Sequence, residues 1–356
     1  MNTTPDSVKN DDVYSPSAVH YRLMNELKPA LSFEGSDAGD VASWQKKLQA
    51  KLIECMGYDK LPADKTPQNV RTLWRREHAF GVIEKIVFTS EEGADVPCYL
   101  CLPHAALNAK GGGRVPAFVC LQGHTTGMHH SIGVQLEDEE QPIVVAGDRD
   151  FGIGCMKRGV IGLCIEQRSF GERGEKQQAA RGPGSCVDAS MHALLLGRTL
   201  AAERVHDVAC GVTFLQGRQD VDTSRIGVMG NSGGGTVTLF ASMIKGITLA
   251  MPSCSFCTYK ASIMSIHHCV DNYLPGLLQW GESADVAGLY APRPLVIVAG
   301  KDDEIFPIND VKKAFEQVKR IYTAAGASDN VKLVIGQEGH RFYAGLAWDA
   351  MGQWLK

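Results

Sequence analysis

Apolar residues change their spacing twice along the chain. Val41, Trp44, Leu48, Leu52 and Met56 recur at steps of three and four, the repeat of one helix face, so residues 1–76 are expected to form a helical N-terminal extension after a flexible start. Val82 to Phe88 and Val96 to Leu102 are rich in β-formers and flank the turn-prone Glu91-Glu92-Gly93-Ala94-Asp95, which predicts an antiparallel hairpin at a sheet edge. From Val115 onward, short and nearly all-apolar runs alternate with helical stretches, as parallel strands do when helices cover both their faces. The expected strands are Val115 to Leu121, Val160 to Ile165, Arg225 to Met229, Ile247 to Met251, Pro294 to Ala299 and Val331 to Ile335. One long helix is predicted through Met191, Leu194, Leu195, Val205, Val208, Val212 and Leu215, with others after Ser232, Pro307 and His340. The fold class is therefore α/β: a mostly parallel central sheet with helices on both faces, an antiparallel hairpin before it and a helical extension in front. Residues 77–356 form one main domain in this reading, and 253–290, which lack clean periodicity, form a rim over the site.

Bulk properties narrow the function classes. A chain of 356 residues, 44% hydrophobic and 21% charged, can bury roughly three quarters of its unfolded surface around one sheet. The formal charge of −4 is small and the basic residues are dispersed, so no nucleic-acid partner is expected. No apolar run approaches the roughly 18 residues of a membrane span, and Met1 to Ser17 is polar without a secretory apolar stretch, so the expectation is a soluble, cytoplasmic protein with no membrane partner. Eleven cysteines, an odd number set mostly among apolar neighbours, read as reduced core residues. The close pairs Cys98 with Cys101 and Cys254 with Cys257 raise the question of zinc, but an offset of three on a strand sends Cys98 and Cys101 to opposite faces. No metal is expected. There is no internal repeat, and Gly111-Gly112-Gly113 reads as a flexible approach to the next strand.

The chemistry centres on Gly230-Asn231-Ser232-Gly233-Gly234. This G-x-S-x-G pattern is weak alone, but it follows the predicted strand Arg225 to Met229 and precedes the helix-competent Thr236 to Ala241, as a nucleophile elbow requires. A turn tight enough to lift the serine hydroxyl above the sheet crowds the positions two before and two after it, hence Gly230 and Gly234. A hydroxyl needs a base to take its proton and a carboxylate to fix that base's tautomer, in the chain order serine, acid, histidine. Asp302, Asp303 and Glu304 follow the strand Pro294 to Ala299, at the carboxyl end where open α/β sheets build sites; Asp303 is the choice, and sequence physics alone separates the three poorly. His340 follows the last strand and Gly339, and fills the third place. The pairs His129-His130 and His267-His268 are competitors that either line the pocket or simply pack. Backbone donors for a developing oxyanion are expected at Gly233 and, from the loop Gln122-Gly123-His124-Thr125, at the His124 amide; the His124 imidazole could instead be a passive wall. Asp150-Phe151-Gly152 spells a kinase triplet, but the companion kinase motifs are missing from the sequence, so it is a coincidence.

With these motifs the chain resembles the bacterial α/β-hydrolases related to acetyl xylan esterases and dienelactone hydrolases. The resemblance rests on Gly230 to Gly234, Gln122-Gly123-His124, Arg168-Ser169-Phe170-Gly171-Glu172-Arg173, Gly300-Lys301-Asp302-Asp303 and Gly339-His340, and runs from the helical lead-in to the C-terminus. It implies Asp303 as the acid, since the aspartate closing G-x-x-D has that role in such enzymes. It also implies a serine esterase acting through an acyl-enzyme on small-molecule or oligosaccharide esters, without metal or organic cofactor, with carbohydrate deacetylation favoured. Gln122 stands where relatives commonly carry histidine. A general short-chain carboxylesterase, a dienelactone-hydrolase-like enzyme and a peptidase of the same fold are alternatives, and a catalytically silent binding module is the alternative from another class.

Overall fold

Strands buried on both faces belong in the middle of a sheet, and the apolar runs after Val115 take that place. The computed structural model describes residues 14–108, 113–175 and 186–356, so Gly111 and Gly112 lie outside the described residues. Among them, three antiparallel strands, β1 (Gln68–His78), β2 (Gly81–Glu91) and β3 (Ala94–Pro103), precede β4 (Val115–Leu121), β5 (Ile161–Ile165), β6 (Val221–Asn231), β7 (Leu249–Ser253), β8 (Leu295–Gly300) and β9 (Val331–Gly336). They form one sheet in the order β1-β2-β3-β5-β4-β6-β7-β8-β9, parallel from β5 to β9.

The helices are α1 (Pro16–Glu26), α2 (Ala38–Met56), α3 (His104–Leu107), α4 (Phe151–Met156), α5 (Val187–Leu195), α6 (Leu200–Gln216), α7 (Gly233–Phe240), α8 (Ser283–Gly288), α9 (Ile308–Ala324) and α10 (Ala344–Met351). Residues of α2, α6, α7, α8 and α9 share the larger apolar cluster, while α4 and α10 close the other face. The alternation along β3 shows the two sides: Cys98, Leu100 and Leu102 enter the first cluster, Tyr99 and Cys101 the second. That divergence keeps Cys98 and Cys101 from sharing an ion.

Helix α2 buries the five residues of its apolar stripe, Val41, Trp44, Leu48, Leu52 and Met56. Asp37 caps its start by accepting from the Asp40 amide, and Gly57 ends it at φ 65, where a Cβ would strike the carbonyl of Gly197. Phe33 N donates to Asp285 Oδ1 at 3.0 Å and Gln45 Nε2 to the Ala291 carbonyl at 2.7 Å, tying this lead-in to α8 and the turn after it.

Two expectations need correction. Residues 68–76 were assigned to a helical stretch but belong to β1, which pairs with β2, so the sheet opens with three antiparallel strands rather than a two-stranded hairpin. As an edge strand β1 leaves most of its side chains in solvent, and its arginines at 71, 75 and 76 suit an edge that must not recruit another chain. It therefore carries no apolar alternation. The single helix expected through Met191 and Leu215 is two, α5 and α6, separated by Gly197 at φ 77 and restarted by Thr199, whose hydroxyl accepts from the Ala202 amide. Leu195 and Leu196 are exposed, so this part of the pattern did not mark the core.

Candidate active site

Strand β6 delivers Ser232 to the carboxyl end of the sheet, and α7 begins on the next residue. Ser232 has φ 55 and ψ −120, a conformation that a non-glycine residue adopts only under constraint. Its amide donates to the Ser253 carbonyl at 2.9 Å and its own carbonyl accepts from Thr236 N, so β7 and α7 hold it from two sides. A Cβ on Gly230 would lie 2.5 Å from the Gly234 carbonyl carbon, and one on Gly234 would lie 2.6 Å from the Gln122 oxygen and closer still to that of Leu121. Both glycines are thus sterically required. The unpaired amides at the start of α7, Gly233 first, lie next to the serine and give its surroundings a positive end of the helix dipole.

The carboxylate and the imidazole come from the loops after β8 and β9. His340 Nδ1 lies 2.9 Å from Asp303 Oδ2, while Asp302 and Glu304 are exposed and Asp303 is 4% exposed. Geometry thereby sets Asp303 apart from two neighbours that sequence physics alone separates poorly. The amides of Ile305 and Phe306 donate to Asp303 Oδ1. Burial pushes the Asp303 carboxyl up, but the His340 bond and these two amides outweigh it and hold it below the usual range. An ionised carboxylate only accepts, so the proton between the pair sits on Nδ1 and leaves Nε2 of a neutral His340 as an acceptor. The ring stacks on Phe306 at 5.9 Å, and Phe306 lines the same cavity as Ser232.

The loop after β4 approaches from the opposite side. Gly123 is packed so tightly that a Cβ there would lie 3.1 Å from that of Ser232. Gln122, the departure from the histidine of relatives, turns away from the serine and donates to Ser131 Oγ at 2.8 Å and the Arg149 carbonyl at 2.7 Å. The His124 imidazole lies over Gly233, leaving no room there for a Cβ, and its Nε2 sits 2.9 Å from both oxygens of Asp271. Asp271 in turn pairs with the fully buried Arg204, whose Nη2 also reaches Cys186 Sγ at 3.2 Å and the Arg168 carbonyl at 2.7 Å. Phe170 completes this wall, edge-on to His124 at 5.3 Å and under the Arg204 guanidinium at 4.3 Å. Burial disfavours charge on His124, but the hydrogen bonds to Asp271 and Cys186 outweigh it and raise the imidazole to about 9. The Arg168 to Arg173 stretch is explained by the same wall: Arg168 and Arg173 both clasp the buried Asp207.

Ser232 opens on a cavity of about 570 Å³ bounded by Gly233, His124, Thr125, Cys186, Met191 and Phe306, and by Ile266 to Val270 with Asn272 from the rim. The aperiodic segment 253–290 thus contributes cavity wall, although its α8 portion is core. His267 and His268 line the cavity; burial and the neighbouring His124 push His268 down to about 4, so it is neutral. His129 and His130 meet edge-to-face at 4.6 Å in the segment that follows β4 and do not line the cavity. Sequence reasoning missed Asp271, Arg204, Cys186 and Cys269. The one signal available was an arginine inside the apolar period of α6. Among the described residues, two groups bring several ligand-type atoms within 4.8 Å of one another: His124, Cys186, Cys269 and Asp271, and Cys254, Asp303 and His340. In the second, Asp303 and His340 bond each other and Cys254 Sγ donates to the Arg341 carbonyl at 3.1 Å.

A mostly parallel sheet with an antiparallel start, a strained serine between β6 and α7, and an Asp-His pair on the loops after β8 and β9 define an α/β-hydrolase. The chain belongs to the Abhydrolase family, whose model matches residues 4–234. It is similar to the "Putative hydrolase YtaP" of Bacillus subtilis (strain 168), at 24% identity over 285 residues covering 78% of this chain and 88% of that protein. Among solved structures it resembles a "putative acetyl xylan esterase" from Bacteroides fragilis NCTC 9343, with TM-score 0.72, 16% identity and coverage of 97% of this chain and 88% of that one. A glucuronoyl esterase from Solibacter usitatus superposes with TM-score 0.64 and 15% identity, over 92% of this chain and 96% of that one. No helix among the described residues is long and apolar enough to cross a membrane.

Proposed function

We propose that this protein is a serine esterase that hydrolyses carboxylic esters through an acyl-enzyme, with acetyl esters of sugars or oligosaccharides as its favoured substrates. The observation that carries the reading is the strained Ser232 at the start of α7, opening on a cavity also lined by Ile305 and Phe306, whose amides bond the buried Asp303 that in turn holds His340. In the reaction, Ser232 Oγ attacks the ester carbonyl carbon and His340 Nε2 takes its proton, while Asp303 fixes the ring and stabilises the imidazolium. The carbonyl oxygen, now negative, is received by the amides of Gly233 and His124. His340 returns the proton to the departing alcohol, and water repeats the sequence to release the acid.

The carbohydrate preference is supported by a wall that mixes polar tips, Thr125, His267 and Asn272, with apolar Val187, Ile266 and Phe306. A sugar presents hydroxyls on its edges and C–H faces above and below, which suits such a lining. The solved relatives bearing esterase names point the same way.

Turnover of 4-nitrophenyl acetate and of acetylated xylo-oligosaccharides, with covalent capture by a fluorophosphonate probe, tests the proposal. Ser232→Ala should lower kcat by about 10⁶-fold if the three residues act as a unit. A folded protein that hydrolyses neither ester and leaves Ser232 unlabelled is a binding module on this fold, and the proposal fails.

A further inference from the structure

The cavity wall holds two thiols that the ester chemistry does not use. Cys186, at the start of α5, and Cys269, in the rim, both line the cavity, and their sulfur atoms lie within 4.8 Å of each other. Most other cysteines are buried in the core; Cys55, half-exposed on α2, is the remaining accessible one among the described residues. Two cations and one carboxylate, Asp271, surround Cys186: Arg204 Nη2 is 3.2 Å from its sulfur, and the charged His124 imidazole also reaches it. Cys269 belongs to the same cluster, and the charge that bears on it most is the Asp271 carboxylate. One member of the pair is therefore stabilised as thiolate while the other keeps its proton.

Four ligand-type atoms this close also invite a divalent metal, but the guanidinium of Arg204 already occupies the cation's role. It bonds both Asp271 and Cys186, and both Asp271 oxygens are also within bonding distance of His124. A second, doubly charged cation would have to displace those bonds next to a buried guanidinium.

We infer that Cys186 and Cys269 form an oxidant-sensitive site in which Cys186 reacts with a hydroperoxide and Cys269 resolves the product as a disulfide. The Cys186 thiolate attacks the distal peroxide oxygen, the O–O bond breaks, the sulfur is oxidised to sulfenic acid, and the alkoxide or hydroxide leaving group takes up a proton. The Cys269 sulfur then attacks the sulfenyl sulfur, the S–O bond breaks, and the departing hydroxide takes the Cys269 thiol proton as water. In sum, two thiols and one hydroperoxide give one disulfide, one alcohol (water, where hydrogen peroxide is the oxidant) and one water. The sulfurs, within 4.8 Å of each other, must close to about 2 Å for the bond to form. The bond would cross the cavity wall beside His124.

The test is peptide mapping of the full chain after brief treatment with hydrogen peroxide, with Cys55 as the internal reference. The inference expects a Cys186–Cys269 linked peptide reversed by dithiothreitol, formed about ten-fold faster than any oxidation of Cys55, because only a thiolate is a good nucleophile. In Cys269→Ser, dimedone should trap a sulfenic acid on Cys186; in Cys186→Ser, Cys269 should react no faster than Cys55. The inference is overturned if folded wild type gives no linked peptide, if Cys269 is oxidised first, or if the purified protein holds zinc at one ion per chain that is lost in Cys186→Ser. Because the readout is a covalent bond between cysteines, it stands or falls independently of what Ser232 hydrolyses.

Discussion

Two histidine-aspartate pairs occupy loops beyond the carboxyl ends of the strands, and they are held in different ways. His340 meets Asp303 through Nδ1, which leaves Nε2 free on a ring stacked against a cavity-lining phenylalanine. His124 meets Asp271 through Nε2, crowds Gly233, packs edge-on against Phe170 and is held by an aspartate that a buried arginine also bonds. The first aspartate has two backbone amides to share its charge; the second has a guanidinium. Proximity of an imidazole to a carboxylate therefore does not make a proton relay. What matters is which nitrogen is left over and where it points.

The comparison breaks most visibly under substitution of the first pair. Asp303→Asn should leave the fold intact yet favour the wrong tautomer of His340, lowering kcat for 4-nitrophenyl acetate by about 10⁴-fold. A loss of under ten-fold would mean that Asp303 only packs. In the second pair, His124→Gln retains the backbone amide assigned to the oxyanion, so kcat should fall by only about ten-fold or less. A collapse comparable to that of Asp303→Asn would show that the imbalance between the two pairs is wrong and that the imidazole itself meets the reacting oxygen. Steric closure at the elbow gives an intermediate case: Gly234→Ala should cost about 1–3 kcal/mol of stability, because the added carbon meets backbone oxygens that cannot yield. Urea unfolding measures it, and an unchanged midpoint would contradict the crowding.

The smallest expected effect is one of pH. His124 is raised in the folded state to about 9, above its unfolded value near 6.5, so its interaction with Asp271 contributes stability in full below about pH 6.5 and loses it as pH climbs through 9. The denaturation midpoint of wild type minus that of His124→Gln, followed from pH 6 to pH 10, should shrink across that window. A constant difference would mean that the ring is held by packing alone.

Much of this was readable before any coordinates. Strands β4, β5, β7, β8 and the second half of β6 are covered on both sides, and burial on both sides leaves a continuous apolar run that needs no periodicity to be seen. Ser232, Asp303 and His340 follow β6, β8 and β9 of that pattern, so each place was findable once its strand was, although the choice of Asp303 among three carboxylates leaned on the family resemblance. β1 escaped because an edge strand rich in arginine has neither run nor alternation. The Asp271 cluster escaped for a different reason. Its members come from a loop after β4, the start of α5, the interior of α6 and an irregular rim, and only the folded chain brings His124 to a partner 147 residues away.

The contact between the elbow and the loop after β4 has a consequence for how such a protein can change what it accepts. With Gly234 pressed on the Leu121 and Gln122 carbonyls and Gly123 on the Ser232 side chain, the backbone around Ser232 has no room for added side chains. Freedom to remodel lies across the opening, in Met191 and the stretch from Ile266 to Val270, whose side chains border open space. A library aimed at altered substrate range belongs there, where an exchanged side chain reshapes the entrance without disturbing the serine.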